Sequence, residues 1–514
     1  MKPRILASDT SKWIVHCVVC TLYILIAFTL SEFITEPTHQ FVDIVVAIIH
    51  SSIIFAFTLL LTIIVSAINH WLFIACYSIL CLIGAVLTYF KYTIRFALSP
   101  SFIDVMFNNQ ASISAELITP SLIVFSFLGT IAGSLIASYR TRYHLEWKKP
   151  AVFITIGIAL VGITILVAVP RLSRSFETRI PFIAINSVNK YIDQYKGVVA
   201  IRNRQCQYAT IDSIDTPMII VVIGESLRSA NIGMNGYHRN TTPRLEALGA
   251  ISFDKVYGIY GTTIHDVPHM LTRADRNNPE RAKTERSFID IFKCAGLHSA
   301  AITNQDLERN YRYFLTEDVD TTISATYNIS FSTTTSWLDT DMLPHYNNLI
   351  STRHYNLIVL HSIGSHWWYN THYTEQTAQY QPAMTSNHFM TSDSMQIVNS
   401  YDNTVLYTDY FLSEVIRPLQ GKNAIMLYLS DHGENLGENG KWLHASDITP
   451  QLLHVAAFVW MSDTYKTLHP DRYNALLNNR HNTYYSDYLY HTAIEAANIQ
   501  TDVLDSTMTL FYMK

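Results

Sequence analysis

Long uncharged apolar stretches near the N-terminus constrain the fold of this chain more than any other feature of its sequence. Five of them lie between residue 1 and about residue 170, and none contains Asp, Glu, Lys or Arg. Each is long enough to cross a hydrocarbon core of roughly 30 Å as a helix. We therefore predict a five-helix transmembrane domain over residues 1–170. The stretches are Trp13–Ser31, Ile44–Ile68, Trp71–Phe90, Ser121–Tyr139 and Ala151–Val169.

Basic residues predict the orientation of these spans. The loop 32–43 has no Lys or Arg, and the long loop 91–120 has only two, at Lys91 and Arg95. Basic residues accumulate on the cytoplasmic side of membrane proteins, so the N-terminus should be cytoplasmic. Five crossings then deliver everything after Arg171 to the opposite side. The residues on the cytoplasmic side that carry the bias are Lys2, Arg4, Lys12, Arg140, Arg142, Lys148 and Lys149.

Charge and cysteine usage exclude two classes of protein. The net charge of −5 is ordinary for 514 residues and indicates no nucleic-acid partner. Only Cys206 and Cys294 lie outside the predicted spans, so the soluble part can form one disulfide at most and is not a disulfide-stapled scaffold. Cys17-Val-Val-Cys20 has redox or metal spacing, but inside an apolar helix we interpret it as packing.

The rest of the chain is predicted to be an interfacial linker over residues 171–216 and a catalytic domain over residues 217–514. The linker mixes basic and apolar residues, which is typical of a segment on a membrane surface, although a solvated connector is the alternative. Beyond Pro217, short apolar runs alternate with amphipathic segments, which indicates parallel strands with helical crossovers. The predicted strands are Met218–Ile223, Ser299–Thr303, Tyr355–Leu360, Ala424–Leu429 and Val455–Met461, and the predicted helices are Thr242–Leu248, Ser287–Cys294 and Thr404–Pro418.

Three of the predicted strands end at polar residues that can hold a metal or a phosphate. They end at Gly224-Glu225-Ser226, at His361–His366 and at Asp431-His432. Ligands of open α/β sheets bind beyond the carboxyl ends of the strands. A carboxylate oxygen beside an imidazole nitrogen is a donor set that zinc accepts. The pattern therefore predicts a metal site at one edge of the sheet.

Taken singly, each candidate residue also has an ordinary interpretation. Glu225 is equally well placed to cap a helix, since anions are favoured at helix N-termini. Thr262-Thr263 is an ordinary turn pair unless a metal or base activates one hydroxyl. His366 and His444 would each be a structural or surface histidine. Only the combination of these residues predicts catalysis.

Several short motifs follow one another along the chain. They are Ile-Gly-Glu225-Ser-x-Arg, Asn235-Gly-Tyr-x-Arg-Asn-Thr-Thr-Pro243, Gly-Thr-Thr263 with Val-Pro268-x-Met, Gly364-Ser-His366, the run from Tyr401 to Ser413, and Ser430-Asp-His-Gly-Glu-Asn-x-Gly-Glu-Asn-Gly-x-x-Leu-His444. Together they closely resemble the phosphoethanolamine transferase family, membrane enzymes of the alkaline phosphatase and sulfatase superfamily. That family has five spans ahead of a periplasmic sulfatase-like α/β domain, and it includes transferases that modify lipid A and confer polymyxin resistance.

The resemblance implies roles for individual residues. Glu225, Thr263, Asp431 and His432 match the family's tight Zn2+ site. Thr263 matches the nucleophile, five residues before the motif's proline, and Thr262 is the alternative because the loop is one residue shorter here. A bound metal would stabilise a threonine alkoxide at neutral pH. His366 and His444 match histidines that bind the phosphoryl group or a second zinc ion.

Three segments differ from the family pattern. In one of them, Trp367-Trp368 follow Gly-Ser-His366, where the family usually has a proline-containing turn. Family members commonly bracket the nucleophile loop with a disulfide, whereas Tyr260 and His269 occupy those positions here. The stretch that recognises the ethanolamine head group in the family usually carries Asn, Thr and Glu. This chain has Asp104, Asn108 and Ser112, which the i, i+4 spacing would place on one helical face. We therefore expect substrate contacts at Asn108 and Ser112.

The resemblance implies transfer of phosphoethanolamine from phosphatidylethanolamine to a cell-envelope glycan or glycolipid, with lipid A or the lipopolysaccharide core foremost. The enzyme would be a monomer in the bacterial inner membrane, with its catalytic domain in the periplasm. Phosphoethanolamine-Thr263 would be the covalent intermediate. One alternative is a glycerol-phosphate transferase of the lipoteichoic acid synthase type. The other is a non-catalytic membrane sensor with a degenerate sulfatase-like domain.

Overall fold

The computed structural model divides the chain into two compact units, with a border between Asp193 and Gln194. The predicted domain limits at residues 170 and 216 stay predictions. The structure describes residues 9–30, 41–94, 98, 103, 118–143, 176, 179–196, 202–211, 216–305, 313–325, 338–352, 354–385, 392–444 and 448–513.

Within the described residues, four helices of the membrane unit are long and apolar enough to cross a bilayer. They correspond to the first four predicted spans. The predicted fifth span, Ala151–Val169, lies outside the described residues, as do Asn108 and Ser112. The helices of this unit are α1 (Asp9–Ile24, continued by a π-helical turn over Leu25–Thr29), α2 (Phe41–Ile68), α3 (His70–Ile94), α4 (Pro120–Ser138) and α5 (Ile183–Lys196).

Small residues allow α3 and α4 to approach each other closely. A Cβ atom at Gly133 of α4 would lie 2.4 Å from Cys81 Sγ of α3. Such close contact through small residues is typical of helices that pack in membranes. Cys17 and Cys20 of α1 are buried and unpaired, as their interpretation as packing residues requires.

A mixed sheet forms the centre of the soluble unit. The described strands of this unit are β1 (Ala209–Ile211), β2 (Met218–Gly224), β3 (Ile251–Tyr257), β4 (Ser299–Thr303), β5 (Thr321–Ser324), β6 (Leu357–His361), β7 (Ala424–Ser430), β8 (His454–Met461), β9 (Tyr484–Tyr485) and β10 (Ile499–Thr501). Within the described residues, eight of them form the mixed sheet in the order β5-β4-β6-β2-β7-β8-β3-β9, and β1 pairs with β10 in a separate antiparallel ribbon. The inner strands are covered on both faces, which explains their continuous apolar runs.

The three predicted helices of the soluble unit are present and differ from the predictions in extent. The predicted helix Thr404–Pro418 begins ten residues earlier, at Ser394, because Asp393 and Gln396 form a capping box there. The helices are α6 (Pro243–Ala247), α7 (Thr263–Leu271), α8 (Arg281–Thr284), α9 (Ile289–Cys294), α10 (Tyr313–Thr316), α11 (Leu343–Thr352), α12 (Ser394–Ile416), α13 (Pro450–Leu453), α14 (Asp463–Leu468), α15 (Pro470–Asn479) and α16 (Tyr488–Ala496).

The prediction that the strands are parallel is wrong for β8. This strand runs antiparallel to both of its neighbours, β7 and β3. Parallel pairing requires a crossover back to the opposite edge of the sheet, usually through a helix. The chain between β7 and β8 contains only the four-residue helix α13 and the short turn at Glu438–Gly440 in its described part. The next strand therefore starts at the edge where β7 ended and runs back.

Strand register brings the predicted site residues to one edge. The central strand β2 pairs in parallel with β6 and β7, with Ile223 opposite His361 and Gly224 opposite Ser430. The residues that follow these strands therefore emerge side by side. Glu225 and Asp431 are the first residues beyond β2 and β7.

Cys206 and Cys294 form a disulfide that closes 88 residues of chain. It is the single disulfide that the cysteine content allows in the soluble part. Because β1 lies just after Cys206 and pairs with β10, the first and last strands of the soluble unit are tied together. Anchoring of terminal segments in this way limits their fraying.

Candidate active site

Glu225 is held at the end of β2 by a tight turn. The next residue, Ser226, has a φ of 58°, a left-handed conformation that residues other than glycine seldom adopt. Its backbone N–H donates to Asp431 Oδ1 at 3.1 Å, and the N–H of Leu227 donates to Ser430 Oγ at 2.8 Å. Strained backbone of this kind persists where surrounding contacts enforce it, frequently at functional sites.

Glu225, Asp431 and His432 form a buried cluster that suits a divalent cation. Their ligand atoms lie within 4.8 Å of one another, and all three side chains are fully buried. His432 Nδ1 donates to the carbonyl oxygen of Gly433 at 2.7 Å, so the lone pair of Nε2 faces the cluster. Asp431 Oδ2 is buried without a hydrogen-bond partner of good geometry among the described residues. Two carboxylates and one imidazole are a zinc-like donor set, and the residues therefore fit a metal ion.

The charges of this cluster are also suited to a bound cation. Burial raises the pKa of the Asp431 carboxyl well above its usual range, and the adjacent Glu225 carboxylate raises it further. Burial opposes the charged form of His432, but the two carboxylates raise the pKa of its imidazole well above the usual value. Like charges in one buried site repel unless a positive charge lies between them. A metal ion would supply that charge in place of the imidazole proton.

Thr263 contributes its hydroxyl to the cluster and Thr262 does not. Thr263 Oγ1 donates to Glu225 Oε2 at 3.0 Å and lies 3.3 Å from His432 Nε2. The hydroxyl of Thr262 lies 3.0 Å from His265 Nδ1 instead. Thr263 is also the first residue of the nine-residue helix α7. The positive end of the helix dipole therefore favours negative charge on its oxygen.

Asp266 fixes the loop that presents Thr263. Its buried carboxylate accepts hydrogen bonds from the backbone N–H groups of Ile259, Tyr260 and Thr262 at 2.9–3.0 Å. At the positions where the related family commonly has a disulfide, the rings of Tyr260 and His269 meet edge to face at 5.9 Å. The sequence analysis missed Asp266, although an acidic residue in the first turn of a helix is a recognisable signal.

His366 and His444 lie beside the cluster and share Glu225 with it. Ligand atoms of Glu225, His366 and His444 lie within 4.8 Å of one another. His444 Nδ1 is 3.2 Å from Glu434 Oε2, and this contact orients the imidazole ring. The rings of His366 and His444 are 5.8 Å apart. The structure thus brings together six predicted residues, namely Glu225, Thr263, His366, Asp431, His432 and His444.

Two further side chains, to which the sequence analysis assigned no individual role, support the site. Gln305 Nε2 donates to Glu225 Oε2 at 2.9 Å and to the carbonyl oxygen of Ser362 at 2.8 Å. Gln305 is a polar residue just after β4, as Glu225 and Asp431 are just after β2 and β7, and this position in the sequence could have identified it as a site residue. Arg228 Nη1 donates to Glu438 Oε1 at 2.5 Å, which ties the loop after β2 to the loop after β7. That pairing across 210 residues has no local signal.

The class of this protein follows from its sheet and its site. The ends of the central strands carry a glutamate, an aspartate and histidines, and these residues surround a threonine hydroxyl. The family model described as Sulfatase matches residues 217–499, which is more than half of the chain. The chain therefore belongs to the sulfatase family. The predicted sulfatase-like α/β domain behind an N-terminal membrane region is confirmed in this form.

Within this family, the chain is similar to phosphoethanolamine transferases. It is 25% identical over 466 residues to the phosphoethanolamine transferase EptA of Escherichia coli strain K12, covering 83% of each chain. It is 28% identical over 268 residues to the Kdo(2)-lipid A phosphoethanolamine 7''-transferase of that strain, covering 50% of this chain and 46% of the relative. The fold matches the integral membrane lipooligosaccharide phosphoethanolamine transferase A of Neisseria meningitidis with a TM-score of 0.79 at 22% identity, covering 96% and 98% of the two chains. The resemblance indicated by the motifs is confirmed.

Proposed function

We propose that this protein transfers phosphoethanolamine from phosphatidylethanolamine to a lipopolysaccharide-type glycolipid of the cell envelope. The observation that carries the proposal is the position of the Thr263 hydroxyl, which lies 3.0 Å from Glu225 Oε2 and 3.3 Å from His432 Nε2 in a cluster suited to a cation. A hydroxyl in that position is a nucleophile for phosphorus. The activities named for the relatives support phosphoethanolamine as the transferred group and Kdo(2)-lipid A as an acceptor of the right class.

The donor set is suited to a zinc ion held by Glu225, Asp431, His432 and the Thr263 oxygen. Three oxygens and one nitrogen can complete a tetrahedral zinc site. When bound, the ion would lower the pKa of the threonine hydroxyl and neutralise charge on the phosphoryl oxygens.

The first step forms phosphoethanolamine-Thr263. Glu225 Oε2 accepts the hydrogen bond of the Thr263 hydroxyl, orients its oxygen for attack and takes up the hydroxyl proton as that oxygen attacks. A bond forms between Thr263 Oγ1 and phosphorus while the bond from phosphorus to the diacylglycerol oxygen breaks. A histidine in its protonated form can donate a proton to that leaving oxygen. His444 is suited to this role because Glu434 orients its ring and its ligand atom lies within 4.8 Å of those of Glu225 and His366.

The second step releases Thr263. An acceptor hydroxyl attacks phosphorus and its proton passes to the now neutral His444. The Thr263 oxygen leaves and takes its proton back from Glu225 Oε2. His366 and His444 would hold the phosphoryl oxygens through both steps, since they border Glu225 on the same side. The lipid donor and the acceptor can thus bind one after the other at the same edge of the sheet. A single nucleophile is therefore enough for both steps of the transfer.

The membrane part would keep this centre close to its lipid donor. We propose a multi-pass protein of the bacterial inner membrane, monomeric, with the soluble unit in the periplasm and with Asn108 and Ser112 near the ethanolamine group. Four membrane-type helices support the location. Exposed apolar side chains on one stripe of α5, at Ile185, Val188 and Ile192, support contact of this helix with the lipid surface.

Mass spectrometry of envelope lipids and glycans from cells with and without the gene tests the function. We expect a phosphoethanolamine mass on lipid A or core sugars only when the gene is present. The purified enzyme should release diacylglycerol from phosphatidylethanolamine. Release from phosphatidylglycerol at an equal or higher rate would instead favour a glycerol-phosphate transferase and would contradict the proposal.

A further inference from the structure

Asp339 is a buried carboxylate outside every motif that the sequence analysis identified. It begins the short 3-10 helix Asp339–Met342 and is 3% exposed. Its Oδ1 accepts hydrogen bonds from the N–H of Ile363 at 2.8 Å and from Asn304 Nδ2 at 2.9 Å, and its Oδ2 accepts one from the N–H of Gly364 at 2.9 Å. These donors are all neutral. A buried charge held in this way is costly unless its surroundings are arranged for it.

The turn at Ile363 and Gly364, whose N–H groups donate to Asp339, lies directly against the backbone of Glu225. Gly364 has a φ of 51°, and a Cβ atom there would lie 2.7 Å from Glu225 O. The N–H of Ser365 donates to that same oxygen at 2.9 Å. His366 is the next residue. The position of His366 relative to Glu225 therefore depends on this turn.

A second route leads from Asp339 to the carboxylate of Glu225. Asn304, which donates to Asp339, is followed directly by Gln305. Gln305 Nε2 donates to Glu225 Oε2 and to the carbonyl oxygen of Ser362. One carboxylate thus anchors the ends of β4 and β6, and both ends contact Glu225, one at its backbone and one at its side chain.

We infer that Asp339 is a positioning residue, which fixes Glu225 against His366 and so sets the geometry between the zinc-type cluster and the phosphoryl-binding histidines. The inference rests on the proposed function and deepens it, because it assigns a role to a residue that touches neither metal nor substrate. Residues that orient metal ligands typically change metal affinity or activity by about 10–100-fold when they are replaced. A residue needed only for folding would change stability alone.

The test replaces Asp339 by asparagine in the full-length protein in detergent. The amide has nearly the same volume, but its NH2 group faces a backbone N–H that previously donated to the carboxylate. For Asp339→Asn we expect zinc affinity, measured by competition with a chelator, to fall by about 10–100-fold. The visible absorption of the Co2+-substituted protein should shift, since it reports ligand geometry. The kcat for transfer should fall while the KM for the lipid donor changes little.

Asp341→Asn is the matched control, because Asp341 lies in the same 3-10 helix and is exposed. It should keep wild-type zinc affinity, cobalt spectrum and kcat. If Asp339→Asn does not fold, Asn304→Ala removes one donor from the carboxylate and leaves the charge in place. Asn304→Ala should lower zinc affinity by a smaller factor than the one expected for Asp339→Asn.

Wild-type zinc affinity together with a wild-type cobalt spectrum in the folded variant would overturn the inference and leave Asp339 a purely structural residue. Both measurements are made without a lipid donor. A wild-type protein that binds zinc but transfers no phosphoethanolamine would therefore contradict the proposed function separately, without affecting the result for Asp339.

Discussion

Gly364 is a position where one added methyl group should disturb the candidate site through the backbone of Glu225. Its φ of 51° is a left-handed conformation, and a Cβ atom would lie 2.7 Å from Glu225 O and 3.0 Å from Glu225 N. Both atoms belong to the backbone at the end of the central strand, so neither can rotate aside as a side chain could. In Gly364→Ala the turn itself must move.

Two contributions set the expected loss of stability. A left-handed conformation costs a residue other than glycine about 1 kcal/mol. Overpacking against atoms that cannot relax costs about 1–3 kcal/mol more. We therefore expect Gly364→Ala to lower the free energy of unfolding by about 2–4 kcal/mol. To restore an ordinary contact distance between the new Cβ atom and Glu225 O, the turn must shift by about 0.5–1 Å. A displacement of that size near reacting groups lowers the reaction rate by up to about 100-fold.

Gly421→Ala is the control, because Gly421 has a φ of 76° but nothing within 4 Å of its Cβ position. Urea unfolding of the full-length protein in detergent, followed by tryptophan fluorescence, compares the two variants, and the transfer rate is measured beside it. Gly421→Ala should lose about 1 kcal/mol and keep full activity. Equal losses of stability in both variants, with the transfer rate of Gly364→Ala unchanged, would show that contact with Glu225 does not constrain the site.

Three other measurements test the nucleophile, the metal and the topology. Intact-mass analysis should find a phosphoethanolamine adduct on the wild type and on Thr262→Ala but none on Thr263→Ala; the reverse pattern would move the nucleophile by one residue. Asp431→Ala should lose both zinc and transfer activity, whereas His444→Ala should lose mainly transfer; full zinc occupancy in Asp431→Ala would place the ion elsewhere. A reporter that works only in the periplasm should be active when fused after Lys514, and activity of a cytoplasmic reporter there would contradict both the orientation and the chemistry.

The edge that carries the candidate site could be predicted because parallel neighbours end together. Glu225, His366 and Asp431 each follow an apolar run, and no pairing detail is needed to expect that they converge. Thr263 had no comparable signal of its own. Its assignment depended on the motif set, and only the distances to Glu225 and His432 distinguish its hydroxyl from that of Thr262.

Other features were not predicted from the sequence, for different reasons. A buried strand has the same apolar run in either direction, so the antiparallel course of β8 could not be inferred from Val455–Met461. The longer α12 was signalled by Asp393 and Gln396, a capping box that the sequence analysis did not use. The contacts of Asp339 with Asn304 and Gly364 span 35 and 25 residues, and nothing in the local sequence indicates them.

The hydrogen bonds of Asp266 affect how the loop before Thr263 reaches its folded shape. A disulfide stays closed until a reductant opens it, whereas hydrogen bonds open and close thermally, with a population set by their free energy. The three amides that Asp266 holds close this loop without any thiol chemistry. The loop can therefore reach its working shape before an oxidising enzyme has acted on the chain, and reducing agents should leave it closed while they open Cys206–Cys294.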